Sequence, residues 1–196
     1  MINKNSKLSI GIAGLFEFFF ITTSIISASS NEWKTVILSI LGIVCLMLPF
    51  ITTYIANIKK IAIPSSFQLV TLIFIFLSLY FGEIRKYYQI YWWWDLFLHS
   101  IFGSYSVLLA LFFMKEVIIK KQEITRQRYT LFTALLAFNF SLSLGTLWEL
   151  FEFLGDYIFK TSMVKGGLED TATDLIVKAL AAFITSIIYY YRNLKK

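Results

Sequence analysis

Three short runs of the chain carry residue types that do chemistry, each at helical spacing. The first is Trp93-Trp94-Asp95, followed by His99 and Gly103. Asp95, His99 and Gly103 recur every four residues and so share one helical face. The second is Trp148-Glu149, followed by Glu152 and Asp156 at i, i+3 and i+7. The third is Glu169-Asp170-Thr171, followed by Asp174 and Lys178, so that Asp170, Asp174 and Lys178 form an i, i+4, i+8 stripe. The three faces offer six carboxylates, one imidazole and one ammonium. Carboxylates beside a single histidine suit Mg²⁺, Mn²⁺ or Zn²⁺. Such ions polarise phosphoryl or carbonyl oxygens and activate water.

The elements that must position these residues follow from composition. Of 196 residues, 58% are apolar and only 15% charged, with 20 phenylalanines. The mean hydropathy is +0.70. A soluble domain averages roughly 45–50% apolar and 25% charged. This chain cannot cover its surface with polar groups in water. It reads as an integral membrane protein, which excludes a soluble enzyme, a secreted disulfide scaffold and a nucleic-acid binder. The net charge of +6 then reflects loops anchored on one side of a bilayer. The one cysteine, Cys45, lies in an apolar run and can form no intrachain bridge.

A spanning helix needs about 20 mostly apolar residues. Six stretches qualify: 8–28, 35–56, 64–82, 93–114, 129–156 and 171–190. Pro64 suits the first turn of the third. Their length and lack of alternation exclude a β-barrel. No internal repeat or long linker interrupts them. The predicted fold is therefore all-α: a polytopic six-helix transmembrane bundle, one membrane domain over 1–196. Lys4 and Lys7 precede the first apolar run, and Ser27-Ala28-Ser29 ends it. That run exceeds the roughly 7–15 residues of a signal-peptide core and carries Glu17, so it is expected to stay as an uncleaved helix.

Basic residues set the orientation. With the N-terminus in the cytoplasm, Lys4, Lys7, Lys59, Lys60, Lys115, Lys120, Lys121, Arg126, Arg128, Arg192, Lys195 and Lys196 fall inside. Only Lys34, Arg85, Lys86, Lys160 and Lys165 fall outside. Both termini are thus expected to be cytoplasmic, in a bacterial cytoplasmic (plasma) membrane. Of the acids, Glu116 and Glu123 alone lie in a cytoplasmic loop, and Glu17 alone lies mid-membrane. The rest gather toward the outer face.

At about 1.5 Å rise per residue, Asp95, Asp156 and Asp170 lie near the outer rim. His99, Glu149 and Asp174 lie roughly one to two turns deeper. Bare carboxylates cannot share so small a volume, because burying an unpaired charge costs several kcal/mol or more. The cluster needs bound cations, shared protons or water. The sequence predicts a divalent cation on His99, Glu149, Glu152 and Asp174, with Asp95, Asp156 and Asp170 as outer ligands or supports. Glu149 or Glu152 would serve as ligand or general base. Plainer roles stand beside this one. Glu169 and Asp170 can cap a helix N-terminus, and Trp92–Trp94 can form an interfacial belt. His99 can be a satisfied core histidine. Glu17 and Lys178 lie at similar depth and can form a structural ion pair, with Asp174 as the alternative partner of Lys178.

These three motifs, over roughly Glu83 to Ala182, resemble the YjdF-type family of bacterial integral membrane proteins, catalogued without a known function. More loosely, Asp-x3-His on one helix, an acidic motif on the next and Asp-x3-Asp on the last are similar to VanZ-like proteins. Those are associated with tolerance of teicoplanin. The VanZ pattern follows its aspartate with lysine, where this chain has Leu96, and its Asn-x2-Gly turn after the last acid is absent here. Three functions are open at this stage. One is a metal-assisted membrane enzyme acting on a lipid-linked or cell-wall substrate at the outer leaflet. The second is a proton or cation transporter, since intramembrane acids and histidines relay protons. The third is a non-catalytic binder of a cationic ligand, a lipid headgroup or a partner protein. Membrane lipids are partners in all three; nucleic acid is a partner in none.

Overall fold

The computed structural model describes residues 4–118, 124–159, 164 and 166–194. Lys120, Lys121, Glu123, Lys160, Lys165, Lys195 and Lys196, on which the orientation partly rests, lie outside the described residues. The regular elements described are all helical. They are α1 (Lys4–Ser29), α2 (Trp33–Ile58), α3 (Phe67–Ile75) continuing as a π-helix (Phe76–Ile84), α4 (Tyr87–Ile90), α5 (Trp94–Val117), α6 (Arg126–Phe159) and α7 (Leu168–Leu194). Among the described residues, six helices are long and apolar enough to cross a membrane.

The helix limits differ from the sequence reading in a consistent way. Apolar windows stop at charged residues, whereas backbone hydrogen bonding runs past them. So α6 begins at Arg126 rather than Tyr129, and α7 runs from Leu168 to Leu194. The third span starts at Phe67, not Pro64. The Phe67 N–H donates to the Pro64 carbonyl at 3.0 Å, so Pro64 closes the turn before the helix instead of opening its first turn. The span then continues to Ile84 by widening into the π-helix.

The chain divides into two compact units, Met1–Trp94 and Asp95–Lys196. In the first, Phe20, Leu46, Leu72 and Phe76 form the buried core. The rings of Phe16 and Phe76 stack at 3.9 Å, and those of Phe76 and Tyr80 at 4.8 Å. Gly42 leaves room for the Phe20 ring against α2.

In the second unit small and polar residues share the interior with a short apolar cluster of Val107, Ala110, Ala137 and Ala182. On α7 the buried residues are Asp174, Lys178, Ala182 and Ser186, four apart, while Ile176, Leu180, Phe183 and Ile184 are exposed. On α6 the buried stripe is Thr133, Ala137, Ser141, Gly145 and Glu149, again four apart. His99, Gly103 and Val107 do the same on α5. Lipid is as apolar as leucine, so membrane helices pack through small and polar residues instead. Gly103 lies directly against the backbone of α7 at Lys178. The Ser141 hydroxyl donates to the Gly103 carbonyl at 2.8 Å, joining α6 to α5.

Candidate functional site

The upper turns of these three stripes bring the acids and the histidine together. His99 is buried, and its Nε2 lies 3.2 Å from Asp95 Oδ1 and 3.3 Å from Asp174 Oδ2. Asp95 reaches it from one turn earlier on α5, and Asp174 from α7. Glu149 and Glu152, on α6, face the same imidazole. Ligand atoms of His99, Glu149 and Glu152 lie within 4.8 Å of one another, as do those of Asp95, His99 and Asp174. His99 therefore belongs to both groups. The Trp148 side chain hydrogen-bonds the Glu152 carboxylate.

The Lys178 ammonium is buried and pairs with Glu149 Oε1, making a hydrogen-bonded ion pair between α7 and α6. Among the described residues the carboxylate that meets Lys178 is Glu149. Glu17 sits half-buried on α1 of the first unit. Gly145 lies beside the pair: a β-carbon there would stand 3.3 Å from Lys178 Cδ, an atom of a flexible side chain. The Lys178 ammonium also lies 6.0 Å from the centre of the Phe102 ring.

The outer acids divide. Asp95 joins the histidine, with its side chain 30% exposed. Asp156 accepts a hydrogen bond from the Val164 N–H at 2.9 Å, tying the end of α6 to the segment before α7. Asp170 lies in the first turn of α7, where a carboxylate favours the helix dipole. Trp92 is largely exposed, as an interfacial belt residue would be, whereas Trp94 is buried against Phe81 and Tyr87 within the first unit.

Charge and geometry limit what this arrangement can be. Asp95, Glu149, Glu152 and Asp174 surround one imidazole, and Lys178 balances only one of them. Asp174 is 2% exposed, and its Oδ1 has no hydrogen-bond partner among the described residues. An orphaned carboxylate oxygen at such depth costs about 1–3 kcal/mol, more when charged. The Nε2 separations of 3.2 and 3.3 Å suit donors sharing one ion: bonds of about 2.0–2.2 Å place neighbouring ligands roughly 3.0–3.5 Å apart. One nitrogen with several oxygens is a donor set for Zn²⁺ or Mn²⁺, or for Mg²⁺ with added water. The residues present thus fit a divalent cation. They also fit a proton-sharing chain through His99.

Beside Lys178 a cavity of about 310 Å³ lies along α6 and α7, walled by Leu142, Gly145, Thr146, Leu175, Ile176 and Ala179. Sequence reasoning did not find it, and no single motif marks it. Gly145 and Lys178 both line it.

Comparison with known proteins bears on family, not on activity. The family described as predicted membrane protein (DUF2238) matches residues 9–195. An uncharacterized protein of Thermotoga maritima is 28% identical over 131 residues, covering 67% of this chain and 65% of that protein. The match thus spans just under two thirds of the relative's length. No solved structure matches the chain.

Proposed function

The chain belongs to the DUF2238 family of predicted membrane proteins, and from that premise we propose a metal-assisted membrane enzyme acting on a lipid-borne envelope substrate. Asp95, His99 and Asp174 would hold the ion, with Glu152 beside them. The observation that carries this reading is Asp174 Oδ1, buried and without a hydrogen-bond partner among the described residues, next to a histidine nitrogen shared by two carboxylates. A bound divalent ion supplies Lewis acidity toward a phosphoryl or carbonyl oxygen. The chain's own residues would do the rest. Glu152, steadied by Trp148, would take a proton from water or a substrate hydroxyl. Glu149, paired with Lys178, would help to position the imidazole beside it. The apolar-walled cavity along α6 and α7 reaches Lys178, the partner of Glu149, and would seat a lipid chain beside that pair. The basic-residue bias supports a site toward the outer face of a bacterial cytoplasmic membrane, with both termini inside. The YjdF-like motifs lie within the matched span, and the VanZ likeness rests on the motifs alone.

Elemental analysis of the purified protein after Mg²⁺, Mn²⁺ and Zn²⁺ supplementation tests the proposal. The parent should carry one metal near stoichiometrically, and Asp174→Asn and His99→Gln should lose it. No metal in the parent, or equal metal in all three, overturns the metal site. A second reading is favoured by one observation, the continuous Asp95–His99–Asp174 contact, which can pass a proton. Proton flux in proteoliposomes that survives chelation and vanishes in His99→Gln would select it.

A further inference from the structure

The first unit contains a larger cleft that the acidic site does not involve. It has a volume of about 850 Å³ and lies where the α1–α2 turn meets the end of the π-helix. Ligand pockets commonly measure about 300–1,000 Å³. Its inner wall includes Phe18, Phe19 and Tyr80, and its rim carries Lys34, Arg85 and Lys86 against one acid, Glu32. The rim sits at the level where spans begin and end, since Trp33 opens one span and Ile84 closes another. An apolar wall inside the bilayer beneath three cations at the headgroup level matches an anionic amphiphile.

The π-helix builds this arrangement. The Arg85 N–H donates to the Tyr80 carbonyl at 2.9 Å, a five-residue rung. In an α-helix, a residue five positions on lies about 140° around the axis from the first. The wider rung instead brings Arg85 close to the same face as Tyr80, with Ile84 beside it. All three line the cleft. Lys86 follows with φ of +60°, a left-handed conformation rare outside glycine and asparagine. It turns the chain back at the rim. Here the last rung of the π-helix supplies the cationic side of a cleft.

We infer that this cleft binds the phosphate of an anionic membrane lipid, with Arg85, Lys86 and Lys34 on the headgroup and the acyl chain along Phe18, Phe19 and Tyr80. Native mass spectrometry of the full-length purified chain can test it with three probes. These are phosphatidylglycerol, phosphatidylcholine of the same acyl chains, and soluble glycerol 3-phosphate. The parent should retain phosphatidylglycerol over phosphatidylcholine. Arg85→Gln with Lys86→Asn should weaken phosphatidylglycerol binding roughly ten- to thirty-fold. Lys59→Gln with Lys60→Asn, the basic pair at the other end of α2, should leave it unchanged. Equal retention of the two lipids by the parent, or equal loss in the two pairs of substitutions, overturns the site. Displacement of the lipid by equimolar glycerol 3-phosphate would show a phosphate site that ignores the apolar wall, and would overturn the lipid assignment. Should the charge variant fail to fold, Thr23→Phe narrows the cleft without altering charge. It must lower phosphatidylglycerol retention, or the inference fails.

Discussion

Replacing Gly103 by alanine tests how the second unit holds its site together. A β-carbon at 103 would stand 2.5 Å from the Lys178 carbonyl oxygen and 3.1 Å from its Cα. Both are backbone atoms of α7, so no side-chain rotation relieves the clash. Ordinary carbon–oxygen contact is about 3.3–3.6 Å, so α5 and α7 must part by roughly 1 Å. Overpacking of this kind costs about 1–3 kcal/mol. A clash with backbone that no rotation relieves falls at about 2–3 kcal/mol of that range; alanine returns about 1 kcal/mol of helix propensity, leaving the variant about 1–2 kcal/mol less stable. Gly145→Ala is the matched control. Its β-carbon would meet Lys178 Cδ at 3.3 Å, an atom on a flexible side chain that can move aside. The propensity gain should offset that contact, leaving stability within about 0.5 kcal/mol of the parent. Thermal unfolding in detergent, followed by tryptophan fluorescence, should place Gly103→Ala roughly 2–8 °C below the parent and Gly145→Ala beside it. The same displacement would carry His99, one turn away, past hydrogen-bond reach of Asp174, so metal retention should fall in Gly103→Ala alone. Equal melting of the two variants, or a lower melting point for Gly145→Ala, would refute the close-approach reasoning.

Two further outcomes follow from the same packing and charge. Lys178→Met leaves Glu149 buried without its cation and should cost about 3–5 kcal/mol, and adding Glu149→Gln should recover most of that loss; a double variant as unstable as the single one would show that the pair is not what holds α6 to α7. In a Cys45→Ser background, Glu32→Cys should react with an impermeant thiol reagent in intact cells and Thr125→Cys should not; the reverse pattern would place the acidic site on the cytoplasmic side.

The membrane class and the six spans were legible because apolar length is a one-dimensional property. The four-residue recurrence of Asp95, His99 and Gly103 was legible for a similar reason, since it lies within one helix. The same rule extends further than the sequence reading took it. On α6, Thr133, Ala137, Ser141, Gly145 and Glu149 continue the spacing through the membrane, and all five are buried. The polar and small residues between exposed leucines mark the protein-facing side, because lipid solvates the leucines and not the hydroxyls. The partner of Lys178 was not legible. Depth along a helix could be counted, and it favoured Glu17, while i−4 spacing offered Asp174, but the direction a side chain takes around its helix depends on how neighbouring helices meet. Glu149 is 29 residues from Lys178 and is joined to it only by that packing. The π-helix left no signal either, since Phe76–Ile84 has the same apolar character whether its rungs span four residues or five.

The pairing of Lys178 with Glu149 changes what the remaining residues must do. Had Lys178 met Asp174, one turn before it on α7, the site would have kept its one internal cation beside the histidine, and Asp95 and Asp174 would have faced less excess charge. Glu149 takes that cation instead and fastens α6 to α7 with it. The carboxylates on either side of His99 Nε2 are left with an imidazole that carries one positive charge at most. Asp95 is partly open to water and can be solvated. Asp174 is not, and one of its oxygens has no partner among the described residues. The deficit is therefore local: it falls on the α5–α7 side of the site, at Asp95, His99 and Asp174. Substitutions there should change what the site binds, whereas substitutions at Lys178 or Glu149 should first change whether the unit holds together. Measuring metal content and melting temperature on the same Asp174→Asn and Lys178→Met preparations separates the two roles. Loss of metal at parent-like stability is expected for the first, and loss of stability for the second. Equal destabilisation of both would make the whole cluster a packing device and remove the reason to look for a ligand there.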